Sequence, residues 1–252
     1  MSVLVGLDIG TGSARAVAVD EAGNVVAEAS SEYPLHSPRP GWTEQNPEDW
    51  WGGAKEALGE VATGVEDEVA GLGLTGQMHG SVFLDSSGAV IRPALLWNDQ
   101  RTYKQCEKIT DAVGGERLIS IAGNPALTGF QAPKILWLRD EEPENYARIS
   151  SVLLPKDYVR LRLTGEHATD ASDAAGTLLL DVRGRDWRAR SWILWRYPWS
   201  GCPKSTRDPR APARSARMWQ ESLACQPASR LPRAAETTPP PRWGWASWRR
   251  VS

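Results

Sequence analysis

The chain has 252 residues, with 29 Lys and Arg against 31 Asp and Glu, three Cys, three His and thirteen Trp. That length suits one large domain or two small ones, and the longest apolar runs fall far short of the roughly 18–20 residues a membrane helix needs. Cys106, Cys202 and Cys225 are odd in number and lack CxxC spacing, which excludes a disulfide scaffold or a zinc ribbon and points to a reducing compartment.

No basic stretch precedes the strand-like Val3–Ile9, so no signal peptide is expected and the expected location is cytoplasmic, with no membrane partner. The near-zero net charge hides two unlike halves. Met1 to Trp187 holds 16 basic and 28 acidic residues, whereas Arg188 to Ser252 holds 13 basic and 3 acidic. The second part also carries seven of the thirteen Trp and nine of the eighteen Pro but only two of the 23 Gly. So sharp a change means a domain boundary, a nucleic-acid tail or a stretch that did not evolve as protein.

The first part reads as an α/β domain. Val3–Ile9 is a short apolar strand, Gly10–Ser13 a turn, Arg15–Asp20 a second strand and Val25–Tyr33 a third, with hairpin chemistry at Glu21–Asn24. Asn46-Pro47-Glu48 supplies a cap, a proline at the first helical position and an early acid. The helix it opens runs through Trp50, Trp51, Ala54, Ala57, Leu58 and Val61. Val69–Thr75 reads as a buried strand that stops at Gly76-Gln-Met-His-Gly80. Further strands are expected at Ser81–Leu84, Ala94–Leu96 and Val152–Leu154. Helices are expected around Thr102–Val113, Pro133–Arg139, Pro143–Arg148 and Pro155–Leu163, the last stopping near Gly165.

Chemistry begins at Asp8-Ile-Gly-Thr-Gly-Ser13, where the first strand turns back. Small residues let the backbone amides of Thr11, Gly12 and Ser13 approach phosphate oxygens, and Asp8 suits Mg²⁺ held through water. The turn is neither a Walker A loop nor a Rossmann fingerprint, because no G-K-[ST] is present and no helix follows. By itself the motif fits an ordinary hairpin with a solvated Asp equally well.

Seven segments then occur in order: D-I-G-T-G-S-A-R-A-V near the start, W-T-E-Q-N-P-E-D-W-W at 42–51, G-Q-M-H-G at 76–80, L-L-W-N-D-Q-R at 95–101, A-P-K-I-L-W at 132–137, L-P-K-D-Y-V-R-L-R-L-T-G-E at 154–166 and D-A-S-D-A-A-G-T at 170–177. Together they resemble the FGGY family of carbohydrate kinases over residues 1–187. G-Q-M-H-G and L-P-K-D-Y are closer to the family's xylulokinases than to its glycerol kinases or gluconokinases.

The resemblance implies the actin-like, ribonuclease-H-like ATPase fold, here an incomplete N-terminal FGGY domain, and MgATP-dependent phosphorylation of D-xylulose to D-xylulose 5-phosphate. It implies ATP and Mg²⁺ as cofactors, with Asp8 as the metal-associated aspartate and Thr11, Gly12, Ser13 and Arg15 at the ATP phosphates. Met78 and His79 would contact the sugar, and Trp97, Asn98 and Asp99 would line the same pocket. A thioether beside an imidazole suits a ketopentose, which offers hydroxyls and a weakly apolar face. Trp42, Trp50, Trp51 and Trp137 are expected to pack rather than to stack on a ligand, and His36 and His167 to lie at the surface. The resemblance also allows a homodimer. The alternatives are another family sugar or polyol kinase, acting on ribulose, gluconate or glycerol, or a non-catalytic domain with a nucleic-acid-binding or interaction tail.

The family's catalytic base is an aspartate in a G-G-G-D-N-A segment beyond the matched region, and this chain has no such segment. Residues 188–252 instead read as a translated frameshift without a packed core. If the third base of each codon is joined to the first two of the next, Ala234–Trp245 with their neighbours can encode G-G-G-D-N-A-A-A-A-V-G-M-G. The base would then be encoded out of frame across Glu236 and Thr237. The same offset at Ser200–Arg207 permits W-L-P-E-V-Y-E, another family segment. Disordered tails are poor in aromatics, and stacking platforms for nucleic acid normally sit on a folded surface, so a nucleic-acid partner is not expected. The chain itself is expected to lack turnover, because the base and the second domain are missing.

Overall fold

A computed structural model of the chain describes residues 2–185 and 187. Readings that concern Arg188–Ser252 lie outside these residues.

The first three strands form the expected meander: β1 (Ser2–Ile9), β2 (Ser13–Val19) and β3 (Val25–Glu32). A two-residue strand β4 (Glu44–Gln45) and helix α1 (Pro47–Thr63) follow, then β5 (Glu68–Gly76). The main sheet has the order β3-β2-β1-β5, antiparallel except that β5 lies parallel to β1. Alternation sorts β1 and β2. Val3, Val5, Leu7 and Ile9 with Ala14, Ala16 and Ala18 face inward, while Leu4, Asp8 and Arg15 are exposed on the other face.

Helix α1 covers the inward face. Its buried residues Trp50, Trp51, Ala54, Ala57, Leu58 and Val61 recur at helical spacing and form one apolar stripe. Asn46 caps the helix by accepting the Glu48 N–H at 3.2 Å, and Pro47 starts the first turn. Gly53 lets the helix lie close to the sheet, since a Cβ there would come within 3.1 Å of the Tyr33 ring.

A second core builds on the short pair β6 (Val82–Leu84) and β8 (Ser151–Leu153), while β4 pairs with β7 (Ala94–Leu95). Helices α2 (Tyr103–Val113), α3 (Gly115–Ala122), α4 (Gln131–Glu141) and α5 (Pro143–Arg148) precede β8 in the chain. After β8 come α6 (Pro155–Thr164), α7 (Ala171–Ala174) and a 3₁₀ turn at Ala175–Thr177. Phe83, Leu118, Phe130, Trp137, Leu178 and Trp187 belong to this second cluster. Tyr158, Val159 and Leu163 of α6 join the first core beside α1. Gly165 ends α6 in the left-handed region at φ 72°, as its position after the last apolar residue predicts.

Trp50, Trp51 and Trp137 are buried and His36 and His167 are exposed, as expected. Trp42 stacks edge-on against Trp137 at 5.6 Å. Among the described residues no helix is long and apolar enough to cross a membrane.

Candidate functional site

Because β1 and β5 are parallel neighbours, paired up to Ile9 and Gly76, both release their chains at the same end of the sheet. The carboxyl ends of the strands are where ligands bind in open α/β sheets. The Gly10–Ser13 turn leaves β1 there, and Gln77-Met78-His79 leaves β5. The Gln77 N–H donates to the Ile9 carbonyl at 2.7 Å and locks the two exits side by side.

The turn is built from beneath by three side chains that reading the sequence did not single out. Gln45 is fully buried. Its Nε2 donates to the Thr11 carbonyl at 2.6 Å and to the Pro34 carbonyl at 3.1 Å, and its Oε1 accepts from the Trp50 indole at 3.0 Å and from Gln77 Nε2 at 3.1 Å. Gln77 also donates to the Gly10 carbonyl at 3.3 Å, and the Tyr33 hydroxyl donates to the same oxygen at 2.7 Å. Burial, with the Asp8 charge adding to it, pushes the Tyr33 phenol above its usual range, so it stays a donor. Gln77 lay inside a quoted motif. Gln45 likewise falls within W-T-E-Q-N-P-E-D-W-W, whereas Tyr33 carries no local signal, and only the folded chain shows which carbonyls they meet.

Gly10 is tight, because a Cβ would lie 3.1 Å from the Ser13 carbonyl oxygen, whereas Gly12 faces open space. Among the described residues the N–H groups of Thr11 and Gly12 donate to no carbonyl. Asp8, one strand residue inward, has an exposed carboxylate. These features fit phosphate oxygens on the turn, with a hydrated divalent cation beside them. Arg15 pairs with Asp8 in strand register, but its guanidinium bonds Glu28 at 2.7 Å on the exposed face.

On the β5 side, Met78 is 48% exposed at the rim. His79 is partly buried and sits at φ 62°. Its ring packs edge-on against Phe130 at 4.7 Å between centroids, with Gly176 on another side. Burial and the Lys134 charge lower the imidazole to about 4, so it is neutral near pH 7 and can both donate and accept. The indole N–H of Trp97, which follows β7, donates to Thr11 Oγ1 at 3.2 Å and ties that loop to the turn.

The next two residues behave differently. Asn98 is half-buried and accepts from Thr43 Oγ1 at 2.7 Å. Asp99 departs from the expectation that it lines the pocket, being fully buried. It accepts the Thr43 N–H at 2.7 Å, the Arg101 N–H at 2.9 Å and the Arg101 guanidinium on both oxygens. Arg101 in turn pairs with Glu44 at 2.7 Å and stacks on Trp42 with its guanidinium carbon 3.7 Å from the ring centre. With both oxygens engaged and no exposure, Asp99 braces the loop that presents Trp97.

The Gly10–Ser13 turn and the Met78–His79 segment thus lie side by side at one end of the main sheet. The model of the FGGY family of carbohydrate kinases, N-terminal domain, matches residues 3–193, and the chain belongs to this family. It is 45% identical over 190 residues to a xylulose kinase of Lactococcus lactis subsp. lactis (strain IL1403), an alignment covering 74% of this chain and 38% of that protein. It is 46% identical over 186 residues to the xylulose kinase of Escherichia coli (strain K12), covering 73% and 38%. Among solved structures, a xyloylose kinase from Brucella ovis superposes with a TM-score of 0.78 at 37% identity, covering 86% of this chain and 46% of that one. The chain thus spans about 38% of the length of these curated relatives. The actin-like fold expected from the sequence agrees with these neighbours.

Proposed function

We propose that this chain carries the N-terminal half-site of a kinase that phosphorylates D-xylulose to D-xylulose 5-phosphate with MgATP. The observation that carries the reading is the Gln77 N–H to Ile9 carbonyl hydrogen bond at 2.7 Å, which holds the phosphate-type turn after β1 beside the Met78–His79 rim after β5. MgATP, when bound, supplies the phosphoryl group and the cation that offsets its charge. The chain's own residues have assigned tasks. The Thr11, Gly12 and Ser13 amides hold phosphate oxygens, and Asp8 holds the cation through water. Met78 packs on the carbon face of the sugar and neutral His79 hydrogen-bonds a hydroxyl, which fixes the acceptor relative to the turn. Asn98 holds the rim through Thr43, and Arg15 exchanges its exposed partner Glu28 for phosphate at little cost, since exposed pairs contribute little. Residues 1–187 form the kinase part of the chain.

The base that accepts the hydroxyl proton belongs to the frame-shifted segment across Glu236 and Thr237. The test is a coupled assay on the purified chain beside a version with the reading frame restored, using D-xylulose, ribulose, gluconate and glycerol. Turnover with D-xylulose only in the restored form, abolished when the restored aspartate becomes asparagine, is the expected result. Preference for glycerol or gluconate would sink the sugar assignment, and comparable turnover by both forms would sink the frame reading.

A further inference from the structure

We propose that Lys134 is the positioning residue for His79 and thereby for the sugar-facing rim, an inference that rests on the reading of His79 as a sugar contact. A histidine at φ 62° is held in a sparsely populated region, which persists only where the surroundings over-determine it. Lys134, on α4, has no exposure at all, and its Nζ donates to the His79 carbonyl at 2.9 Å and to the Gly129 carbonyl at 2.6 Å. Lysine is among the residues least often fully buried, so packing alone does not explain its place. An amine needs two hydrogens for two carbonyls and has them whether protonated or neutral, so the clamp stands in both forms. The ionic groups that act on it are Asp99, which favours the ammonium, and Arg101, which opposes it.

The second anchor matters as much as the first. Gly129 lies against the Trp97 carbonyl so closely that a Cβ would fall 2.6 Å from that oxygen. The next residue, Phe130, is the wall of the His79 ring. One side chain therefore ties His79, its aromatic wall and the backbone of Trp97 into a single unit. On the far side Gly176 leaves no slack, because a Cβ there would lie 2.1 Å from His79 Nδ1.

The test uses the full chain labelled with ¹⁵N-histidine, in which the exposed His36 and His167 serve as internal references. Lys134→Met removes the donors and keeps the length, while Lys134→Gln keeps donors at shorter reach. Folding is checked by circular dichroism. In folded Lys134→Met the His79 imidazole signals move toward those of His36 and His167, and D-xylulose affinity falls about tenfold or more. Lys134→Gln recovers part of both. Unchanged His79 signals with affinity within about twofold would overturn the proposal, as would a Gln variant no better than Met. Failure of both variants to fold would also overturn it, assigning Lys134 to the core alone. The functional reading fails separately, if D-xylulose does not perturb His79 in the unsubstituted chain. The lysine-dependent shift of His79 then still decides the positioning role.

Discussion

Gln45 uses all four hydrogen-bonding positions of its amide inside the protein, two as donor and two as acceptor. Gln45→Leu keeps the approximate volume but strands the Trp50 indole, the Thr11 carbonyl and the Gln77 amide. Buried groups left unpaired cost about 1–3 kcal/mol each, and partial relaxation brings the expected loss to about 2–4 kcal/mol, read by urea unfolding. The same variant should speed amide exchange at Thr11 and Gly12. His79 gives a prediction in pH. Its folded-state value near 4 lies below the ordinary 6.5, so the unfolded chain binds the proton first. Its contribution is complete above pH 6.5 and is lost as pH falls toward 4. Unfolding free energy should therefore fall more steeply over that window in the unsubstituted chain than in His79→Gln, and equal slopes would contradict this. At this scale the motif residues could be named from the sequence, but Asp99 could not be told from Asn98. Adjacent residues on one loop point to opposite environments, and only the path of Arg101 decides which is buried.

Helix α1 shows how much a local signal specifies. Its cap, its proline and its apolar stripe are contiguous, and the observed Pro47–Thr63 follows from them. Asn46→Ala should cost about 1 kcal/mol, measured as a shift in the urea midpoint. A loss below about 0.3 kcal/mol would mean that the links from Glu48 to Tyr158 and Arg162 hold the first turn without the cap. Elements without such signals were missed. β4 is two residues long, too short to show alternation, and exists because Glu44 and Gln45 meet Leu95 and Ala94 across the sheet. α3 buries only Leu118 and Ala122, a single i, i+4 pair, and the Ala171–Ala174 turn is one turn of helix with one buried residue. The parallel β1–β5 pairing also could not be read, since strand apolarity does not reveal the neighbour.

The composition changes after Trp187, and Trp187 itself packs into the second core with Phe130, Leu178 and Leu180. A piece ending at residue 187 is expected to unfold cooperatively, within a few degrees of the full chain's melting temperature. One ending at residue 180 should melt markedly lower, because it exposes the wall that Trp187 covers. Equal melting of the two shorter pieces would remove Trp187 from the core. The chain also spans about 38% of its relatives' length.

What the sequence determined by itself was local and periodic: the meander, α1, the Gly/Thr/Ser turn, the motif order and the change of composition after Trp187. These rest on propensity, alternation and spacing, which need no knowledge of distant partners. The tertiary structure alone decided what required two segments to meet. It set β5 beside β1 so that both exits share one end of the sheet, and it put Gln45 and Tyr33 beneath the turn. It buried Asp99 on Arg101, and it aimed Lys134 at the carbonyl of a residue 55 positions away. Hydrogen bonds are short-ranged and directional, so which buried polar group meets which carbonyl is settled only when the whole chain has packed.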